Sequence, residues 1–167
     1  MSDQLFAVTL ADYSRAELCL ELRGGDVAAV LFELSQALEG AGAVPDGLAT
    51  FHAAMNRHFL SDRELFPGVA CAVAHAPNLA RPVLAVGRCT TPLMWRQNDA
   101  PVTLVFLVAT PTTEARPALL AALTRLARHD VSMAALQSAG NSESMLAVLE
   151  RFPADESEML LLSPLHA

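Results

Sequence analysis

Apolar positions recur along this chain in two rhythms, and the switches between them mark out its elements. From Ala16 to Arg23, Leu18, Leu20 and Leu22 alternate with Glu17, Cys19 and Glu21, the period of a half-buried strand. Gly24-Gly25-Asp26 interrupts it, and Asp26 is suited to cap a helix in which Val27, Val30, Leu31, Leu34 and Leu38 return every three or four residues. Gly40 and Gly42 stop that helix, and Pro45-Asp46-Gly47 opens a second one through Leu60. Phe66-Pro67-Gly68 reads as a turn, Val69 to Ala74 as a short strand ending at His75, and Ala76-Pro77-Asn78 as another turn. Pro82 to Gly87 and Val102 to Thr110 are short apolar runs, the signature of buried strands. Thr90 to Pro101 is a connection that carries Trp95 and a polar tip, Gln97-Asn98-Asp99.

After Pro111 the period turns helical. Leu119, Leu120, Leu123 and Leu126 predict a helix over 116–128 with Pro117 in its first turn, followed by shorter helices over 131–139 and 142–152. Strands separated by helical stretches predict an α/β fold: a mixed central β-sheet of four or five strands with helices on both faces. A chain of 167 residues fits one domain, placed here at residues 1–152, with 153–167 as a C-terminal tail.

Composition narrows the classes. With 53% hydrophobic and 17% charged residues the chain is globular, not disordered. A formal net charge of −7, with only small gatherings of arginine at 57–63 and 116–128, predicts no nucleic-acid partner. Cys19, Cys71 and Cys89 are odd in number and lack a CxxC pair, which argues against a disulfide framework or a zinc site and for a cytoplasmic location. The longest apolar run, 102–109, is too short to span a bilayer, so no membrane insertion is expected.

The order of these elements carries a resemblance. A strand and two helices lead to the pair Arg63-Glu64, then to a strand ending in His75 and a further strand over 82–87. Trp95 and Asp99 follow, then the strand over 101–110 and the helix over 116–128. Over roughly residues 5–152 this order is similar to that of the IIA component of the bacterial sugar phosphotransferase system, in its type 2 (fructose, mannitol and nitrogen-regulatory) family. The chain departs from the family's pattern in three places. The Gly-rich loop after Arg63-Glu64 is cut to Leu65-Phe66-Pro67-Gly68, Ala74 stands where a proline precedes the histidine, and Arg116 stands where the family has a second histidine.

The resemblance implies a phosphohistidine carrier. His75 would accept a phosphoryl group from HPr or its nitrogen-branch relative and pass it to a IIB domain or a regulated protein. Arg63 and Arg116 would bind the phosphate, and no cofactor or metal is implied. Neutral imidazole suits this chemistry because it is nucleophilic near pH 7, and a planar guanidinium matches phosphate oxygens. Each residue also has a plainer reading: His75 as a strand-end loop histidine, Arg63 as a partner of Asp62 or Glu64, and Arg116 as an exposed residue at a helix start. Thr112 and Thr113 could replace the missing loop hydroxyl or simply make a turn. His52 and His58, six apart on a helix, read as surface residues. His129 reads as a cation at a helix C-terminus, and Cys71 and Cys89 as core residues. The alternative function is a divergent regulatory or binding module that carries no phosphate, or one that holds another anion in the same strand-end cleft.

Overall fold

The computed structural model describes residues 8–61, 64–96 and 100–154. Arg63, the tip 97–99 and most of the expected tail, 155–167 with His166, lie outside them. Five strands and five α-helices follow in chain order: β1 (Cys19–Leu22), α1 (Val27–Gly40), α2 (Gly47–Ser61), β2 (Glu64–Phe66), β3 (Val69–His75), β4 (Val83–Leu93), β5 (Val102–Thr110), α3 (Pro117–Ala127), α4 (Asp130–Ser138) and α5 (Ser142–Leu149). The sheet runs β1-β4-β5-β3-β2. The β1–β4 and β3–β5 pairs are parallel, while β4–β5 and β2–β3 are antiparallel. This is the mixed α/β sheet that the sequence predicts. Among the described residues no helix is long and apolar enough to cross a membrane.

Period-two alternation divides the sheet between two cores. Val69, Cys71 and Val73 of β3, with Leu84, Val86, Leu104, Phe106 and Val108, join the apolar sides of α3, α4 and α5. Ala70, Ala72 and Ala74, with Ala85, Val105, Leu107 and Ala109, join Leu31, Leu34 and Leu38 of α1 and Ala54 of α2. The near-continuous apolar runs of β3 and β5 follow from this burial on both faces. Asp26 caps α1 through Ala29 N at 2.8 Å. Glu33, one turn further, closes the β1–α1 turn by accepting the N–H groups of Arg23 and Gly24. Beside the same end of β1, Arg88, which pairs in register with Glu21, donates to the carbonyls of Leu136 (2.8 Å) and Ala139 (2.8 Å) and so ties the end of α4 to the sheet.

Several sequence expectations change in detail. The stretch expected as a strand from Ala16 begins as a 3₁₀ turn, Ala16–Leu18, so only Cys19–Leu22 pairs with β4. β4 runs on through Thr90 to Leu93, past an irregularity between Arg88 and Leu93, where a connection was expected. Trp95 in the remaining connection is buried. α5 ends at Leu149, and Phe152 instead accepts from Leu10 N, tying the segment after α5 to the segment before β1.

Candidate functional site

Three features of the sheet meet at one end. β3 and β5 finish there side by side, with His75 opposite Thr110, and β4 begins there, with Val83 opposite Ala109. The carboxyl ends of parallel strands in an open α/β sheet are where such folds place their sites. His75 is the first exposed residue of β3 after six buried ones. Its Nε2 lies 3.2 Å from the carbonyl oxygen of Pro111, just beyond β5. A carbonyl can only accept, so Nε2 carries the proton and the opposite ring nitrogen keeps its lone pair. The same register holds the backbone in place, since Ala76 N donates to Thr110 O at 2.7 Å.

A cleft of about 200 Å³ opens beside His75, lined by His75–Leu79 and by Pro45, Asp46, Ala49 and Thr50 at the start of α2. Asp46 accepts from Ala49 N at 3.1 Å and Thr50 Oγ1 donates to the Asp46 carbonyl, so this first turn is internally satisfied. The N-terminal end of α2 offers partial positive charge to the cleft, and the Asp46 carboxylate sets a full negative charge against it.

The loop that holds His75 is itself anchored. Arg57 on α2 donates to Thr113 O at 2.8 Å and pairs with Glu114 at 2.9 Å. Thr110 is fully buried and its hydroxyl meets that of Thr112 at 3.0 Å, while Thr112 Oγ1 donates to Glu114 O. The Thr112 hydroxyl is therefore spent on the turn. Arg57, the Pro111 carbonyl and the start of α2 escape the sequence reading. Of these only Pro111 had a signal, because it follows the strand that runs in register with His75.

The sequence-predicted residues are placed unevenly. Arg116 is half-buried at the N-cap of α3, in extended conformation; its carbonyl accepts from Leu120 N, and its guanidinium makes no hydrogen bond or ion pair among the described residues. It is on the loop that follows Pro111 but does not line the His75 cleft. Arg63 lies outside the described residues. Its neighbour Glu64 pairs with Ala70, five residues before His75 along β3, about 16 Å at strand rise.

The segment expected as a shortened loop is a β-hairpin. Leu65 and Phe66 belong to β2, and the turn falls at Gly68, whose φ of 90° suits glycine and whose carbonyl accepts from Thr103 N. That turn is at the start of β3, the opposite end from His75. A hairpin turn and the full length of β3 therefore separate Glu64–Phe66 from His75.

Three further expectations change. His58 is 8% exposed, not a surface residue; it packs edge-on to Trp95, and Arg96 donates to its carbonyl. Burial, and secondly the Arg96 charge, hold its pKa below the ordinary value. His129 caps the start of α4, with Nδ1 accepting from Ser132 N. Cys71 is buried as expected, whereas Cys89 is only half-buried. Among the described residues no group of three or more His, Cys, Asp or Glu comes together to hold a metal.

Comparison with known proteins places this architecture. The model of the family described as "Phosphoenolpyruvate-dependent sugar phosphotransferase system, EIIA 2" matches residues 18–152. No curated protein sequence matches. Among solved structures, the nitrogen regulatory protein IIA-Ntr from Neisseria meningitidis superposes with a TM-score of 0.70 at 19% identity, over 84% of this chain and 98% of that one. The mannitol-specific cryptic phosphotransferase enzyme IIA CmtB from Escherichia coli gives 0.68 at 15% identity, over 86% and 99%. The E. coli enzyme IIA mannitol, solved in complex with phosphorylated enzyme IIB mannitol, gives 0.66 at 14% identity, over 81% and 95%. These identities establish a shared fold. The family match takes in every strand and α-helix described above, and the chain belongs to the EIIA 2 family of the phosphoenolpyruvate-dependent sugar phosphotransferase system.

Proposed function

We propose that this protein is a phosphohistidine carrier in which His75 takes a phosphoryl group from a phosphohistidine donor of the HPr type. The observation that carries the reading is the pinning of an exposed strand-end imidazole by the Pro111 carbonyl. That bond fixes the tautomer and aims a lone pair outward, as a nucleophile requires. In the transfer the donor's N–P bond breaks as a bond forms between phosphorus and the unheld nitrogen of His75. The proton stays on Nε2, hydrogen-bonded to the Pro111 carbonyl, and the donor imidazole leaves with the electron pair. Phosphoryl transfer asks little more of the protein than positioning and positive charge. Arg116, charged and unpaired nearby in the chain, is the candidate for the charge, with Arg63 as the second. The acceptor would be a IIB domain, by likeness to the E. coli mannitol IIA that was solved with its phosphorylated IIB, or a protein under nitrogen-type regulation.

A second reading has its own support. The loop that should cradle phosphate is replaced by the β2–β3 hairpin, and Asp46 places an acid in the His75 cleft. Both fit a regulatory or binding module that carries no phosphate. One experiment separates the two. The protein is incubated with phosphoenolpyruvate, enzyme I and HPr, alongside His75→Gln. A phosphate-sized mass increase that is labile to acid and absent from the variant supports the carrier. No increase in the parent, with a known IIA labelled in the same mixture, leaves the binding module.

A further inference from the structure

The end of the sheet that holds His75 carries a second concavity, of about 280 Å³, between the segment before β1, the turn after α1 and the approach to β4. Arg15 and Arg81 both line it. Arg15 donates to Ala41 O at 2.9 Å, and Arg81 donates to Asp12 O at 2.8 Å while stacking 5.0 Å from the centre of the Tyr13 ring. Each guanidinium is thus fixed by neutral groups, and among the described residues neither has an acid as partner. The one carboxylate in the wall, Asp12, accepts from Thr9 N at 2.8 Å. Ser14 also lines the wall, and its hydroxyl is buried with the weakly polar Cys19 thiol beside it. Each arginine's bond uses one N–H of a guanidinium that carries five, so most of each fork remains for a ligand.

We infer that this cleft is a binding site for a small phosphate-bearing anion, gripped by the guanidinium forks of Arg15 and Arg81. The site does not depend on phosphoryl transfer at His75. Val83 in its wall and His75 are two strands apart at the same sheet end, about 10 Å. A ligand here leaves His75 untouched but sits on the surface a docking protein would cover.

The test is a titration with inorganic phosphate followed by amide NMR, comparing the parent with Arg15→Gln, Arg81→Gln and the double variant. Phosphate at the His75 cleft would shift His75 and Ala76, whereas the inferred site reports through Ser14, Arg15 and Gly42. The expected result is saturable movement of the second set, several-fold weaker in each single variant and at least tenfold weaker in the double. The His75 and Ala76 response should be the same in all four proteins. If the double variant loses its native spectrum, the single variants decide. Ser14 and Gly42 signals that stay still, or move alike in parent and variants, would overturn the inference. So would malonate binding as tightly as phosphate, since the proposed ligand class is a phosphate.

Discussion

Replacing Gly87 with alanine gives a sharp test of how β4 meets β1. Gly87 is buried opposite Leu20, and a Cβ built on it would lie 2.3 Å from Cδ1 and 2.5 Å from Cγ of Leu22, which is itself fully buried. Two terms oppose each other. Gly87 is not in the left-handed region, so alanine should gain about 0.4–1 kcal/mol by restricting the unfolded chain. Against this, Leu22 has no room to retreat among Leu18, Leu31 and Leu34, and overpacking of this kind costs about 1–3 kcal/mol. The steric term wins, leaving Gly87→Ala about 1–2 kcal/mol less stable in urea denaturation. Leu22→Ala alone should cost about 2–5 kcal/mol. In the double variant the new methyl occupies part of the vacated space, so the combined loss should fall below the sum by at least about 0.5 kcal/mol. Additive losses, or a Gly87→Ala protein as stable as the parent, would refute the argument that Leu22 fills the space over this glycine.

Three other outcomes follow from particular contacts. Arg88→Met should cost about 2–3 kcal/mol, since it strips a charged donor from the carbonyls of Leu136 and Ala139; a loss under about 0.5 kcal/mol in urea would mean water replaces it freely. Because His58 has a folded pKa below its ordinary 6.5, the unfolded chain binds the extra proton first. Its contribution is therefore present in full above pH 6.5 and is lost as pH falls through 6.5 towards the folded value. Urea midpoints measured from pH 7.5 to 5 should fall more steeply in the parent than in His58→Gln, and equal slopes would contradict this. Arg116→Ser should gain about 1 kcal/mol by supplying a cap that α3 lacks, yet phosphorylate at least tenfold more slowly if Arg116 serves the phosphoryl group. Arg128→Ala, which lies over Phe66 at the other end of the sheet, is the control, and an Arg116→Ser protein that is both more stable and equally fast would remove Arg116 from the mechanism.

Elements whose burial is uniform were legible in the sequence, because period and composition report burial. Val69 to Ala74 is buried on both faces, Asp26 caps α1 through a local bond, and both facts lie within a few residues of their signals. What escaped depends on contacts between distant residues. The His75–Pro111 bond spans 36 positions and Arg57–Thr113 spans 56, and no local pattern announces either. Helical spacing alone makes His58 a surface residue, because Trp95, which covers it, arrives from beyond the far end of β4. Phe66-Pro67-Gly68 signals the turn of the hairpin, but its first strand, Glu64–Phe66, is too short to show a period.

The edges of the sheet constrain how any partner can meet this protein. β1 has four residues and β2 three, flanking strands of eleven, nine and seven, and the hydroxyl of Ser142 on α5 occupies the Cys19 carbonyl. Such stubs offer too few free backbone groups to template another chain's strand. Recognition must therefore be written in side chains and loop contours, which form and separate quickly because no ladder has to be unzipped. A carrier of the kind proposed, which would meet one protein, part from it and meet another, gains from edges that refuse to hold on.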